Sequence, residues 1–549
     1  MTISASSGAT FQRGRRFAER GLNEAHYLSY CFRSGMVGLE SPLRLYRVAK
    51  SYWDYGMLGG VLAGSAVRFP ERIAVCDERG QISYRELDDA VNAIAGAWRA
   101  AGLAAGDGVA IMTRNHRGFL QALFAAARCG ARVILVNTGF SGPQVSEVAS
   151  REGADLFVYD QEFEPLLSGI QVRHGRFLAW VERPVTGIQT LDQLADSFPA
   201  TPPPKPACAP RLVILTSGTT GAPKGAGRDV PASLSPVGGP LSLVPFRSGD
   251  VTQLSAPLFH ALGFTQGLLQ IGLGATLVLQ RRFSAPAALE SLVRHRVNTW
   301  IVVPVMLQRV LALGDAELSG NRPPSLRIIY MSGSQLGVDL ATRAREAFGP
   351  VLYNLYGSTE IAFATIATPQ DLAAEPGCVG KVARGAVVKI FDETGLECPA
   401  GVTGRIFVGH MLEFEGYTGG GDKERIGGLV SSGDLGHFDG AGRLFIDGRD
   451  DEMIISGGEN VFPLEVEECL DLHRDVLEAA VVGVPDAHFG QRLTAFVVRR
   501  DGALCDESDL KEYVRERLAA YKVPREVVFI QELPRNATGK VLKRVLTGG

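Results

Sequence analysis

From about residue 57 onward the chain alternates short apolar runs with segments of helical period. Arg72 to Cys76 predicts a strand. Ser83 and Glu86 then form a capping-box pattern ahead of Leu87, Val91, Ile94 and Trp98, which keep helical spacing until Gly102 closes the helix. Val109 to Met112 reads as the next strand, Phe119 to Arg128 as a helix and Arg132 to Val136 as a further strand, the alternation that builds parallel sheets from βαβ units. A Pro-rich linker, Pro202 to Pro206, leads into the strand Arg211 to Leu215, and the rhythm continues to about Leu444 without an internal repeat of fixed short period.

A smaller unit begins near Gly448. A helix opening at Pro463, strands over Leu477 to Val484 and Thr494 to Arg499, a helix over Ser508 to Leu518 and a strand over Val527 to Ile530 predict an α+β domain. The expected fold is therefore α/β. A large domain of βαβ-built sheets (57–447) is followed by a small, mobile C-terminal domain (448–549), with a hinge at the charged junction Gly448-Arg449-Asp450-Asp451-Glu452.

Composition narrows the partners. At 549 residues the chain exceeds one compact core, and 46% hydrophobic residues exclude intrinsic disorder. With 56 basic against 59 acidic side chains there is no positive field to hold a nucleic acid. The eight cysteines lack CxxC spacing or clustering, so neither a zinc site nor a disulfide framework is expected and a cytoplasmic location fits. No apolar run reaches the roughly 18 to 20 residues of a spanning helix. Residues 1–56 stand apart as a basic, aromatic extension, with eight Lys or Arg against four acidic residues. We read it as a helical extension packing its rings on the main body, with peripheral contact to an anionic membrane as the alternative.

The segment most suggestive of chemistry follows the strand at 211: Leu215-Thr216-Ser217-Gly218-Thr219-Thr220-Gly221-Ala222-Pro223-Lys224-Gly225. Glycines let backbone N–H groups approach a polyphosphate, hydroxyls add donors and Lys224 adds charge. The order is not that of a Walker A loop, and by composition alone a solvated turn fits equally well. This run resembles the signature of the ATP-dependent adenylate-forming enzymes, which include acyl-CoA synthetases, aryl-CoA ligases and adenylation domains. The resemblance extends through Tyr353 to Glu360, Ser432-Gly433-Asp434, Gly448 to Asp451 and Asn536 to Lys540, covering roughly residues 57 to 549 and leaving the extension outside.

The resemblance implies a role for each block. Thr216, Ser217, Gly218, Thr219, Thr220, Gly221 and Lys224 would cradle phosphates. Gly333, Ser334, Gln335, Asn354, Tyr356, Gly357 and Ser358 would surround the adenine, with the Tyr356 ring as a stacking face. Thr359 would offer a hydroxyl to the α-phosphate, and Glu360 would give Mg²⁺ a hard oxygen ligand, although a helix start at Ser358 is the local alternative. Asp434 would accept the ribose hydroxyls, Arg449 would reach ribose or phosphate, and Lys540 would bridge the carboxylate and the α-phosphate. Asp451 falls at the hinge position, Gly457 and Gly458 would let a pantetheine chain pass, and Phe259, His260, Gly263 and Phe264 would line the acyl pocket. Beyond them, Gly267 and the stretch Ile301 to Met306 are further candidates for a tunnel wall.

The implied activity is ATP-dependent conversion of a medium- or long-chain fatty acid to acyl-AMP and then to acyl-CoA, using ATP, Mg²⁺ and CoA. A homodimer is compatible with it. The alternatives are an aryl-CoA ligase, an acyl-AMP ligase delivering to a carrier protein, and a catalytically silent nucleotide or lipid binder.

Overall fold

The structure, a computed structural model, describes residues 21–216, 224–227, 233–410, 423–456, 459–486, 490–536 and 539–547. The local signals form the elements they predict. Ser83 Oγ accepts the Glu86 amide at 3.2 Å while the Glu86 carboxylate accepts the Ser83 amide at 2.7 Å, and the helix Tyr84–Ala100 buries Leu87, Val91, Ile94 and Trp98. The strand Gly108–Met112, the helix Arg117–Arg128 and the strand Arg132–Leu135 complete a right-reading βαβ unit with parallel pairing.

Two large sheets share one core. The six-stranded sheet runs Arg176–Trp180, Ala154–Asp160, Gly108–Met112, Arg132–Leu135, Arg211–Thr216 and Lys224–Gly227, and only the last of these joins antiparallel. The nine-stranded sheet is built around the parallel strands Leu352–Tyr356, Ile328–Met331, Thr299–Val302, Val251–Leu254 and Thr276–Leu279. Val109 and Val133 of the first sheet and Leu254, Ile301 and Tyr330 of the second belong to a single apolar cluster. Strands buried on both faces read as continuous apolar runs, which is why periodicity located them but not their alternation. A five-stranded sheet between Ala386 and Arg449 follows, all antiparallel. The C-terminal region has a core of its own, including Val466, Leu470, Val481, Val497 and Leu510, between the hairpin Val476–Asp486/Gly490–Arg499 and the helices Pro463–Asp471 and Glu507–Arg515.

The extension is helical over 21–34 and again over Pro42–Arg68. The second helix reverses at Gly56 (φ 67°, ψ −174°), inside the expected boundary at 56/57. After the turn the two halves touch so closely that a Cβ on Gly60 would fall 2.7 Å from Tyr52 Cα. The rings of the extension divide. Tyr27 and Tyr55 are buried, with the Tyr55 hydroxyl donating to the Pro203 carbonyl at 2.5 Å, while Tyr46 and Trp53 are exposed. Arg128, buried between this helix and the body, lies 5.3 Å from the Tyr55 ring centroid and pairs with Asp88. Among the described residues no helix is long and apolar enough to cross a membrane.

Gly60→Val is expected to force the two halves apart, at a cost of about 1–3 kcal/mol for overpacking. Limited proteolysis should then cut near the Gly56 turn much faster than in the parent protein, with the C-terminal region cut at an unchanged rate.

Candidate active site

Parallel strands in register end together, and the segments leaving their C-terminal ends are brought to one edge. His260 follows Val251–Leu254, Val303 to Val305 follow Thr299–Val302, Ser332 to Gln335 follow Ile328–Met331, and Gly357 to Glu360 follow Leu352–Tyr356. A cavity of about 1850 Å³ opens along this edge, lined by His260, Gly333, Asn354, Glu360, Asp434 and Lys540 among others. Phe264, Ser334, Gln335, Tyr356, Gly357, Ser358, Thr359 and Arg449 also reach it.

The helix start that Ser358 offered as the local alternative does not form. Ser358 Oγ instead accepts the amides of Glu360 at 3.2 Å and Ile361 at 3.3 Å and donates to the Glu360 carboxylate at 2.8 Å, closing a turn that holds that carboxylate on the cavity wall. The left-handed Ala362 (φ 57°) then redirects the chain into the strand Thr365–Ala367, which pairs antiparallel with Leu352–Tyr356.

Asp434 and Arg449 face each other in antiparallel register on Leu429–Phe438 and Leu444–Arg449, and Arg449 Nη1 lies 3.2 Å from Asp434 Oδ1. The Tyr356 hydroxyl donates to Asp434 Oδ2 at 2.6 Å, so an aromatic ring and a carboxylate far apart in sequence are locked to each other. Burial pushes the Asp434 carboxyl up, against the Tyr356 hydrogen bond and the positive charges of Arg449, Lys540 and Lys423. Burial and the Asp434 charge drive the Tyr356 hydroxyl well above its ordinary range, so it stays a donor. His260, preceding the helix Ala261–Gly272, has its pKa pushed down to about 4 by burial and is neutral at pH 7.

Two of the expected acyl-pocket residues stand behind the wall. Phe259 is buried in the core beside His260, and Gly263 backs onto the Pro257 carbonyl, where a Cβ would fall 2.1 Å from the oxygen. Gly267 likewise packs on Leu258, and of the stretch 301–306 it is Pro304 and Val305 that reach the cavity. The other side of the cavity comes from the helix Pro42–Arg68, through Tyr52 of the extension and Leu58, Val61 and Gly64 beyond its expected boundary at 56/57. Sequence reading missed this wall because Tyr52 to Gly64 carry no motif, only a helical period interrupted by glycines.

The C-terminal region is docked with Lys540 at the cavity. Lys540 N donates to Asn536 Oδ1 and Gly539 N to Asn536 O, each at 2.9 Å, so the loop is a tight turn. Gly539 is pressed on Val305, whose Cγ1 would lie 2.4 Å from a Cβ there. Gln308 Nε2 donates to the Leu477 carbonyl at 3.1 Å, and Gln335 Nε2 donates to Glu468 at 2.6 Å. Gln335, expected beside the adenine, is thus committed to the docked region. Burial raises the Glu468 carboxyl to about 7, with Glu467, Asp447 and Glu465 adding repulsion. Ser217 to Gly221, Gly457 and Gly458 lie outside the described residues, as do the side chains of Thr216, Lys224 and Asp451; the Asp451 backbone sits in the short turn Asp450–Glu452.

The chain matches the AMP-binding enzyme family over residues 62–418 and the AMP-binding enzyme C-terminal domain over residues 465–540. It belongs to that family, the adenylate-forming enzymes. Among curated relatives it is similar to an indoleacetate–CoA ligase of Aromatoleum aromaticum, 33% identical over 87% of this chain and 94% of the relative. It is also similar to a fatty acid–[acyl-carrier-protein] ligase of Streptomyces coeruleorubidus, 30% identical over 87% and 93%. Among solved structures, an anthranilate CoA ligase in complex with anthranoyl-AMP superimposes with a TM-score of 0.80 at 25% identity, covering 89% of this chain and 96% of that one.

Glu468 gives the docked arrangement a pH dependence. Its pKa is raised in the docked arrangement, so relative to a solvated Glu468 that arrangement holds the extra proton: there is no penalty below the solvated range, and the penalty grows as pH rises from there and is full above about 7. Hydrogen exchange along Val476–Asp486 is expected to be slower at pH 6 than at pH 8 after correction for intrinsic rates, and Glu468→Gln should flatten that difference.

Proposed function

We propose that the protein is an AMP-forming acid–thiol ligase that couples ATP to the activation of a carboxylic acid and hands the acyl group to CoA. What carries this reading is the convergence of Lys540, Glu360, Asp434 and Arg449 on one cavity, with the Lys540 turn seated against Val305. The cosubstrates are ATP and CoA, with Mg²⁺ as the ion, and such a reaction belongs to the cytoplasm.

In the first step an oxygen of the acid's carboxylate attacks the α-phosphorus of ATP, and the bond from that phosphorus to the bridging oxygen breaks to release pyrophosphate. The nucleophile is already ionised at pH 7, so no general base is required. Two anions must meet, and the Lys540 ammonium, bridging them, offsets the charge that develops between them. The Tyr356 ring offers adenine a face, and Asp434, aligned by the Tyr356 hydroxyl and Arg449, accepts from the ribose. Thr359 reaches toward the α-phosphate, and Thr216 to Gly221 with Lys224 are assigned to the phosphates. Glu360, fixed by Ser358, suits Mg²⁺, which takes one or two protein carboxylates and fills its shell with water and phosphate. Bound there, the ion would neutralise phosphate charge. Neutral His260 lies beside the acid without competing with Lys540 for its carboxylate.

In the second step the CoA thiol gives up its proton to solvent, its sulfur bonds to the acyl carbon, and the bond from that carbon to the phosphate oxygen breaks to release AMP. In this reading, as the resemblance implies, the half-reaction follows a turn of the small domain about Asp451, with Gly457 and Gly458 passing the pantetheine.

The acid in this reading has a large apolar tail, supported by the wall that Tyr52, Leu58 and Val61 add to the cavity. A medium- or long-chain fatty acid is the first candidate. An aryl acid is the second, favoured by the indoleacetate and anthranilate ligases among the similar proteins, and the carrier-protein ligase among them makes a carrier the alternative acceptor.

Pyrophosphate release from ATP with straight-chain, aryl and amino acids, each with and without CoA, tests the whole reading. Turnover with a fatty or aryl acid, giving thioester only when CoA is present, is the expected result. Pyrophosphate without thioester would move the acceptor to a carrier protein, and ATP binding without turnover would leave a silent binder. Lys540→Ala is expected to slow adenylation by about 100- to 1,000-fold. Thioester formation from supplied acyl-AMP should change little in that variant, and equal loss of both half-reactions would overturn the role given to Lys540.

A further inference from the structure

Before its reversal at Gly56, the helix Pro42–Arg68 presents two unlike sides. Positions 45, 48, 52 and 55 share one side by helical geometry, where Leu45, Val48 and Tyr52 line the cavity and Tyr55 is buried. The opposite side carries Leu43, Tyr46 and Trp53, which are 60%, 63% and 75% exposed, and Leu39 just before the helix is fully exposed. Cations surround these residues. Arg44, Arg47 and Lys50 lie on the helix, and Lys205 holds its ammonium 4.3 Å from the Trp53 ring centroid. Asp54, the one acidic residue of this half, is paired with Lys50.

We propose that this face docks on an anionic phospholipid surface. The side chains suit that occupant: Leu43 is purely apolar, Tyr46 and Trp53 carry polar tips on apolar rings that fit the headgroup boundary, and the basic residues meet lipid phosphates. A second copy of the same face is a poor occupant, because a two-fold contact would set Arg44, Arg47 and Lys50 against their own equivalents. Continuity with the cavity gives the docking a purpose. Leu45 and Met57 line the cavity and are also 47% and 44% exposed, so its apolar end emerges beside the docked face. An amphiphilic acid then passes from the lipid into the cavity along the extension, without crossing water. The docking goes beyond the ligase reaction and stands or falls separately from it, while the passage of the acid rests on that reading.

Flotation of the full chain tests it, with vesicles of phosphatidylcholine alone and of phosphatidylcholine mixed with phosphatidylglycerol. The protein is expected to float with the mixed vesicles only, and less so as salt is raised. A double variant, Leu43→Ser with Trp53→Ser, should lose about tenfold or more in partitioning. Arg47→Ser and Lys50→Ser should each lose about fivefold. Circular dichroism and pyrophosphate release with a water-soluble acid should be unchanged in all of these variants. Failure of the parent chain to bind anionic vesicles would overturn the proposal, as would equal binding by the double variant. So would sedimentation showing a dimer that the double variant abolishes in a chain that ignores lipid.

Discussion

Everything at the cavity depends on one constraint, the parallel register of the four strands Val251–Leu254, Thr299–Val302, Ile328–Met331 and Leu352–Tyr356. Because neighbouring strands run the same way, each must release its chain at the same edge, and a helix must return it to the other. Four segments of unrelated sequence are thereby brought side by side: the one with His260, the Val303 to Val305 seat, the Ser332 to Gln335 segment and the Gly357 to Glu360 turn. A residue slipped by one in any of these strands would bury the wrong face and take its segment out of the row.

Charge is then arranged across elements rather than within them. Asp434 and Arg449 are set opposite each other by antiparallel pairing, and Tyr356 reaches Asp434 from the other sheet. A half-buried carboxylate held between a phenol and a guanidinium has little freedom of orientation. The Lys540 turn is fixed differently, by its own internal hydrogen bonds and a close contact with Val305. It belongs to the C-terminal region, whereas the Asp434 cluster is carried by the antiparallel sheet between Ala386 and Arg449.

The sequence revealed the blocks and the order of the elements more readily than the contacts between them. The capping box at Ser83, the strand Arg132–Leu135 and the helix opened by Pro463 were legible because their causes are local. At Ser358 a helix start was the local alternative and a turn forms instead, since a capping serine and an acidic residue close behind it serve both structures. Gln335 looked like a nucleotide contact and is tied to Glu468, a pairing of residues 133 positions apart that no local pattern encodes. Phe259 and Gly263 belong to a recognisable segment, yet the helix they introduce turns them into the core.

The wall supplied by Tyr52, Leu58 and Val61 sits mostly on a stretch ahead of the residues matched by the family. Leu58 and Val61 are at the same time members of the apolar cluster that joins the two large sheets. The lining of the compartment and the anchoring of the chain's beginning are therefore one and the same surface, so a change of shape there is felt by the sheets beneath it.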